Sequence, residues 1–156
     1  MNDFNALSFI DLTHPLNSLI PTWDGGCGFL HKNVIDYPDC TAEVKFRVQQ
    51  VSMQAGVGTH LDAPAHCIEG GLSVADIPLS QLIAPCIVMD VSRYCDAEYS
   101  LSSEEVLHFE NQHGRLDAGN ILLVYTGWEK YWNDPERYRN NFQFPSISEE
   151  CARLLS

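Results

Sequence analysis

The sequence lacks the features that mark secreted, membrane-spanning and nucleic-acid-binding proteins. Its N-terminus, Met1-Asn2-Asp3-Phe4, has neither the basic start nor the apolar run of a secretory signal. No apolar stretch approaches the roughly 18 residues that span a bilayer. Only 9 residues are basic while 21 are acidic, giving a formal net charge of −12. Because nucleic acids and anionic membranes are bound through lysine and arginine patches, this balance argues against both as partners and leaves a small-molecule substrate open.

Cysteines are present, but the six of them form no C-x-x-C pair, and no export signal accompanies them. Such a pattern is more typical of reduced thiols than of a disulfide framework, so we expect a cytoplasmic protein. The 156 residues, 45% of them hydrophobic, predict a single globular domain over residues 1–156.

Hydrophobic patterns along the chain predict an α/β fold. Polar and apolar residues alternate in Glu43–Met53, which predicts a half-buried antiparallel strand. Cys86–Val91 and Ile121–Tyr125 are nearly continuous apolar runs, which predict strands covered on both faces. Ser102 begins a run with capping-box spacing, which predicts a helix that ends by Gly114.

The aromatic segment 129–145 has no regular period. We interpret it as a loop that covers the functional site or contacts another subunit, with core packing as an equally good alternative. After it, Ser148-Glu149-Glu150 predicts the start of a helix that reaches Ser156 without a glycine cap. We therefore expect either a chain truncated at its C-terminus or a partner chain that completes the domain.

The most informative stretch is Gly58–His66, which reads GTHLDAPAH. His60 and Asp62 are two residues apart and would share one face of an extended strand. His66 follows after Pro64, which disfavours both helix and regular strand, so these side chains can converge at a strand end with an adjoining turn. Imidazole and carboxylate groups without thiolate suit zinc, manganese or iron in an open catalytic site. A lone histidine is usually structural, but three ligand-type side chains this close favour a metal site.

The motif resembles the signature of the metal-dependent cyclase family, which includes bacterial kynurenine formamidase and isatin hydrolase. That signature runs His-x-Gly-Thr-His-x-Asp-x-Pro-x-His. Three other stretches agree with the family in the same order: Pro21–Gly25, Ile77–Val91 and Asp117–Trp128. The resemblance therefore extends over nearly the whole chain.

The resemblance implies an α/β swivelling β/β/α domain with a mixed sheet, assembled as a homodimer or homotetramer. It implies hydrolysis of a small cyclic or N-formyl aromatic amide by water activated on one or two zinc or manganese ions, as in an arylformamidase. His60 and Asp62 would be metal ligands, and His66 would give and take the proton. Trp23 would be the wall on which an aromatic substrate stacks, with a core anchor as its alternative role.

Two departures from the family pattern support a second hypothesis. The first histidine of the pattern falls at Gly56, and Gln54 nearby is a poor substitute for it. The resemblance also places a further histidine and a glutamate of the ligand set beyond Ser156. A degenerate or truncated binding or scaffold relative with an incomplete metal site is therefore the alternative to an enzyme.

The remaining polar residues near the motif have simpler expected roles. Thr59 is expected to orient its neighbours by hydrogen bonds, and Gly56 and Gly58 to serve backbone geometry. The other four histidines are expected to be surface or capping residues: His14, His31, His108 and His113.

Overall fold

The computed structural model describes residues 8–156. Its backbone contacts divide the chain into two compact units. The first unit contains residues 8–20 together with Cys27–Leu61, and the second contains Pro21–Gly26 together with Asp62–Ser156. The prediction of a single domain stays a prediction. In the part of the chain described, no helix is long and apolar enough to cross a membrane.

The first unit is built on a two-stranded antiparallel sheet. Strand β1 (Phe29–Ile35) pairs with β2 (Val48–Met53), with Phe29 opposite Met53. The antiparallel strand is confirmed, but the prediction that it starts at Glu43 and is half-buried is wrong. All six residues of β2 are exposed, because a sheet of only two strands leaves its faces uncovered.

The connection between β1 and β2 explains why β2 starts late. The Asp36 carboxylate accepts a hydrogen bond of 2.8 Å from Arg47 Nε and another of 2.8 Å from the Tyr37 backbone N–H. The bond from Arg47, followed by that from Tyr37, lowers the pKa of Asp36. Arg47 is therefore held in the connecting loop, and pairing begins at the next residue.

The second unit contains two parallel strand pairs. Residues Cys86–Asp90 and Ile121–Tyr125 form one pair, with Val88 opposite Leu123. The α/β class is confirmed, although residues 8–156 form three separate two-stranded sheets in place of one mixed sheet. In chain order the elements of the second unit are β3 (Cys86–Asp90), β4 (Ser100–Leu101), α1 (Ser103–His113), β5 (Ile121–Tyr125), α2 (Pro135–Arg139), β6 (Ser146–Ile147) and α3 (Glu149–Leu154).

The core of the second unit lies on one face of the β3–β5 pair. Val106 from α1 and Cys151 from α3 are fully buried against Met89 of β3. On the opposite face, Val88 is 56% exposed and Leu123 is 42% exposed. The prediction that both faces of β3 and β5 are covered is therefore wrong for the residues described, because the buried residues of the helices pack against one face only.

Helix α1 begins and ends where the sequence predicts. Ser102 Oγ accepts a 3.2 Å hydrogen bond from the Glu105 N–H, and the Glu105 carboxylate accepts one of 2.9 Å from the Ser102 N–H. Tyr99 also donates its hydroxyl to Glu105, at 3.0 Å. Burial raises the pKa of Glu105, but the hydrogen bonds from Ser102 and Tyr99 outweigh it and leave that pKa lowered. Burial, followed by the bond to Glu105, raises the pKa of Tyr99.

Candidate active site

The imidazole of His60 is oriented by its own backbone. Its Nδ1 lies 2.9 Å from the carbonyl oxygen of Gly58. Because a carbonyl can only accept, Nδ1 carries the proton and Nε2 is the basic nitrogen of the neutral ring. In a metal-binding histidine, the ring nitrogen that does not bind the metal usually donates its hydrogen to a group such as a backbone carbonyl. Nε2 lies 3.6 Å from the position that a Cβ on Gly56 would occupy, so the place of the family's first histidine adjoins this nitrogen of His60.

The residues before His60 fix its backbone. Gly58 has φ +72°, and a Cβ there would lie 2.5 Å from Leu16 Cδ2, so its expected geometric role is confirmed. Thr59 Oγ1 accepts a 3.1 Å hydrogen bond from the backbone N–H of His14, whereas its role in orienting its neighbours in the motif stays a prediction. His14 is a residue that sequence reasoning missed near the motif, because no local spacing connects it to Thr59.

Asp62 and His66 belong to the second unit, on either side of a proline turn. Residues Pro64–His66 form one turn of 3₁₀ helix, with the His66 N–H donating to Ala63 O at 2.9 Å. The Ala65 N–H donates to Leu72 O at 3.0 Å and closes the loop. The predicted turn is confirmed. The side chains of Asp62 and His66 are both exposed.

The structure corrects one part of the predicted site. His60 and Asp62 do not lie on a strand, because β2 ends at Met53 and residues 60–62 have no strand pairing. Within residues 8–156, no group of three histidine, cysteine, aspartate or glutamate side chains is gathered so as to hold a metal ion. A catalytic zinc site has three protein ligands, so the motif fits part of a ligand set.

Trp23 lies at the tip of a tightly bonded loop. Thr22, only 8% exposed, donates its hydroxyl to Gly26 O at 2.8 Å, and the Gly26 N–H donates to Asp24 Oδ1 at 2.9 Å. Trp23 itself is 66% exposed. The alternative of a core anchor is therefore wrong, and the loop presents the indole ring to solvent.

Two phenylalanines from the segment 129–145 lie against Trp23. The Phe142 ring centroid is 4.6 Å from that of Trp23 at an interplanar angle of 35°, and the Phe144 centroid is 6.0 Å away with its ring edge-on at 76°. We call these three residues the aromatic cluster. Sequence reasoning missed this pairing, and its only signal was the number of aromatic residues in 129–145. The prediction that this segment is a loop is wrong in part, because it contains α2, and its role as a cover of the site or a subunit contact stays a prediction.

The turn that carries Phe142 has an unusual backbone. Asn140, Asn141 and Phe142 have φ values of 42°, 53° and 65°, in the left-handed region. This region costs roughly 1–2 kcal/mol per residue, although asparagine tolerates it better than phenylalanine does. Asn140 Nδ2 holds the turn by donating to Gln143 O at 2.7 Å. Strain of this kind is concentrated at ligand-binding and catalytic sites.

Comparison with known proteins gives three matches that bear on this geometry. The chain is 32% identical over 150 residues to the kynurenine formamidase of Bacillus cereus, covering 94% of this chain and 66% of that protein. It is 32% identical over 90 residues to the isatin hydrolase of Roseibium aggregatum, covering 53% and 34%. The solved isatin hydrolase A from Ralstonia solanacearum superimposes with a TM-score of 0.76 at 26% identity, covering 94% of this chain and 61% of that chain.

These curated relatives are longer than the matched region. The chain spans between 34% and 66% of their length. The resemblance of the motif is confirmed at the level of the family, because the model of the Cyclase family matches residues 10–156, nearly the whole sequence. The matched region contains Trp23, the Gly58–His66 motif and the aromatic cluster. This chain belongs to the Cyclase family.

Proposed function

We propose that this chain is a metal-dependent hydrolase of small cyclic or N-formyl aromatic amides, acting as kynurenine formamidase does. The observation that carries the proposal is the 2.9 Å contact between His60 Nδ1 and Gly58 O, which leaves Nε2 as the basic nitrogen of a metal ligand. The similarity to proteins named kynurenine formamidase and isatin hydrolase supports the substrate class. The swivelling arrangement, a homodimer or homotetramer and a cytoplasmic location belong to the same proposal.

His60 and Asp62 are the proposed ligands of a zinc or manganese ion. An imidazole nitrogen and a carboxylate suit both ions, and an exposed position next to them leaves room for substrate. When bound, an ion of this kind activates water near neutral pH and polarises the amide carbonyl. Gly56 contributes no ligand, so His60 and Asp62 supply part of the ligand set.

His66 is the proposed proton carrier. Amide hydrolysis breaks the C–N bond, and the departing amine nitrogen must take up a proton. Histidine changes its charge near neutral pH, which suits it to that transfer. The hydrogen bonds around Pro64–His66 hold the His66 backbone in a defined turn, so the point at which the imidazole is attached is fixed.

Trp23 is the proposed platform for the aromatic ring of the substrate. The bonds that Thr22 and Asp24 make to Gly26 fix the loop before any ligand arrives. A preformed, exposed indole offers stacking without the entropic cost of ordering a loop. An indole platform of this kind favours substrates that carry a planar ring.

A non-catalytic binding or scaffold relative is the second candidate. Gly56 in the place of a ligand favours it, as does the absence of a three-ligand group within residues 8–156. Such a protein would keep the fold and the aromatic cluster without turning over an amide.

A hydrolysis assay on metal-loaded protein separates the two candidates. Purified protein is analysed for bound zinc and manganese and then assayed with N-formylkynurenine and isatin. We expect turnover, reduced roughly 10²- to 10⁴-fold in kcat by His66→Gln. His108→Gln, which alters an exposed histidine of α1, is the matched control and keeps the rate. Stoichiometric metal with no hydrolysis of either compound would overturn the enzyme and favour the scaffold.

A further inference from the structure

We infer that Phe142 is a further specificity-determining residue: together with Trp23 and Phe144 it selects a planar aromatic ring over a saturated ring of the same size. The inference rests on the proposed function for the identity of the substrate. It goes beyond that function by assigning selectivity to a residue outside the Gly58–His66 motif.

Two of the three rings in the aromatic cluster are exposed. Trp23 is 66% exposed and Phe142 is 52% exposed, although their centroids are only 4.6 Å apart. Rings that served core packing would be covered by their neighbours. Here they leave apolar ring surface open to solvent, at spacings and angles that suit aromatic contacts with a third ring.

The positions of the rings are also fixed from two sides. Arg139, the last residue of α2, places its guanidinium where a Cβ on Gly25 would lie, so α2 contacts the Trp23 loop directly. Trp128 Nε1 donates to Tyr138 O at 2.9 Å and ties α2 to the preceding turn. The separation between Trp23 and Phe142 therefore does not depend on their own contact alone.

The backbone of Phe142 has an unfavourable conformation. At φ +65° this position favours glycine or asparagine, and phenylalanine is an unfavourable choice there. Asn140 and Gln143 hold the turn by hydrogen bonds of 2.7 and 3.0 Å. A strained aromatic residue kept in place by its surroundings indicates a role for the ring itself.

The size of the cluster identifies the occupant as a small molecule. One aromatic side chain buries about 150–250 Å², so three partly covered rings offer less than the roughly 800 Å² that each partner contributes to a standard protein interface. One planar ring of substrate size matches the surface available. A protein partner would need further apolar surface around the cluster.

The test compares binding of two lactams with the same bicyclic skeleton, aromatic oxindole and saturated octahydroindol-2-one, by isothermal titration. We expect the wild-type protein to bind oxindole more tightly, and Phe142→Leu to reduce that preference about three- to tenfold. Phe46→Leu is the matched control, because Phe46 is 50% exposed but belongs to the first unit, and it keeps the preference. Phe144→Leu, which alters the edge-on ring, is the second variant and is expected to show a smaller loss.

Two outcomes would overturn the inference. One is an unchanged preference in Phe142→Leu, whatever Phe144→Leu shows, and the other is wild-type protein that binds neither lactam or binds both equally. Because the readout is binding of compounds and not their hydrolysis, failure of the proposed function would look different. In that case the preference for oxindole and its loss in Phe142→Leu would remain, while N-formylkynurenine and isatin would stay intact.

Discussion

The Nδ1 atom of His60 lies 2.9 Å from the carbonyl oxygen of Gly58, two residues earlier in the chain. This short-range hydrogen bond sets both the tautomer and the direction of the imidazole. It depends on the backbone of Gly58, whose φ of +72° is accessible to glycine at no steric cost. The metal-binding geometry proposed for His60 therefore begins with a glycine that has no chemical role of its own.

Substitution of the two glycines before His60 is expected to have opposite effects. Gly58→Ala should destabilise the protein by at least about 1–2 kcal/mol, because the left-handed backbone disfavours a side chain and its Cβ would meet Leu16. Gly56→Ala should be neutral or stabilising by about 0.4–1 kcal/mol, because its backbone lies outside that region and its Cβ would make ordinary contact with His60. Urea unfolding of both variants measures the difference, and equal stabilities would contradict the account.

Gly56→His is expected to strengthen metal binding. A side chain at this position starts 3.6 Å from His60 Nε2, so an added imidazole can reach the same ion. We expect the zinc dissociation constant, measured by competition with a chromogenic chelator, to fall by at least about tenfold. Gly56→Asn is the matched control, since it adds a branched polar group without a ligand nitrogen. Equal or weaker zinc binding in Gly56→His would show that His60 Nε2 is not a ligand.

Local signals predicted the elements whose contacts are local. The capping box of Ser102 and Glu105 fixed the start of α1, because both partners lie within one turn. The start of β2 could not be predicted, since it depends on the pairing of Arg47 with Asp36 across the connection. The exposed face at Val88 was also missed, because an apolar run indicates that a face is suited to burial without showing what covers it.

Acid should weaken the protein through Glu105. The pKa of Glu105 is lowered in the folded state from an ordinary value of 4.5, so its stabilising contribution is complete above that pH and is lost as the pH falls through the folded value. Glu105→Gln should cost about 1 kcal/mol at neutral pH and flatten the decline in stability as the pH falls below 4.5. Urea midpoints across this range provide the measurement.

Glu104→Gln is the control for the acid effect. Glu104 occupies the same first turn of α1 but is exposed, whereas Glu105 accepts bonds from Ser102 and Tyr99. It should keep the acid slope of the wild-type protein. If Glu104→Gln and Glu105→Gln had the same slope, the hydrogen bonds to Glu105 would not be the source of the pH dependence.

The part of the candidate site that could be predicted is the part whose residues lie close together in the sequence. The motif identified His60, Asp62 and His66 because their spacing is short, and the turn after Pro64 follows from proline itself. The contact of Phe142 with Trp23 joins distant parts of the sequence, so no local pattern could reveal it. Ligand roles for His60 and Asp62, the proton-carrying role of His66 and the substrate role of Trp23 stay predictions.

The most direct test of the central claim is the change in melting temperature when zinc is added. A ligand that binds only the folded state at 100 times its Kd adds about 2.7 kcal/mol, which corresponds to roughly 5–10 °C for a chain of this size. We expect that rise in the wild-type protein and in the control His108→Ala, and no rise in His60→Ala or Asp62→Ala. A zinc-induced rise as large in both His60→Ala and Asp62→Ala as in the wild-type protein would contradict the account.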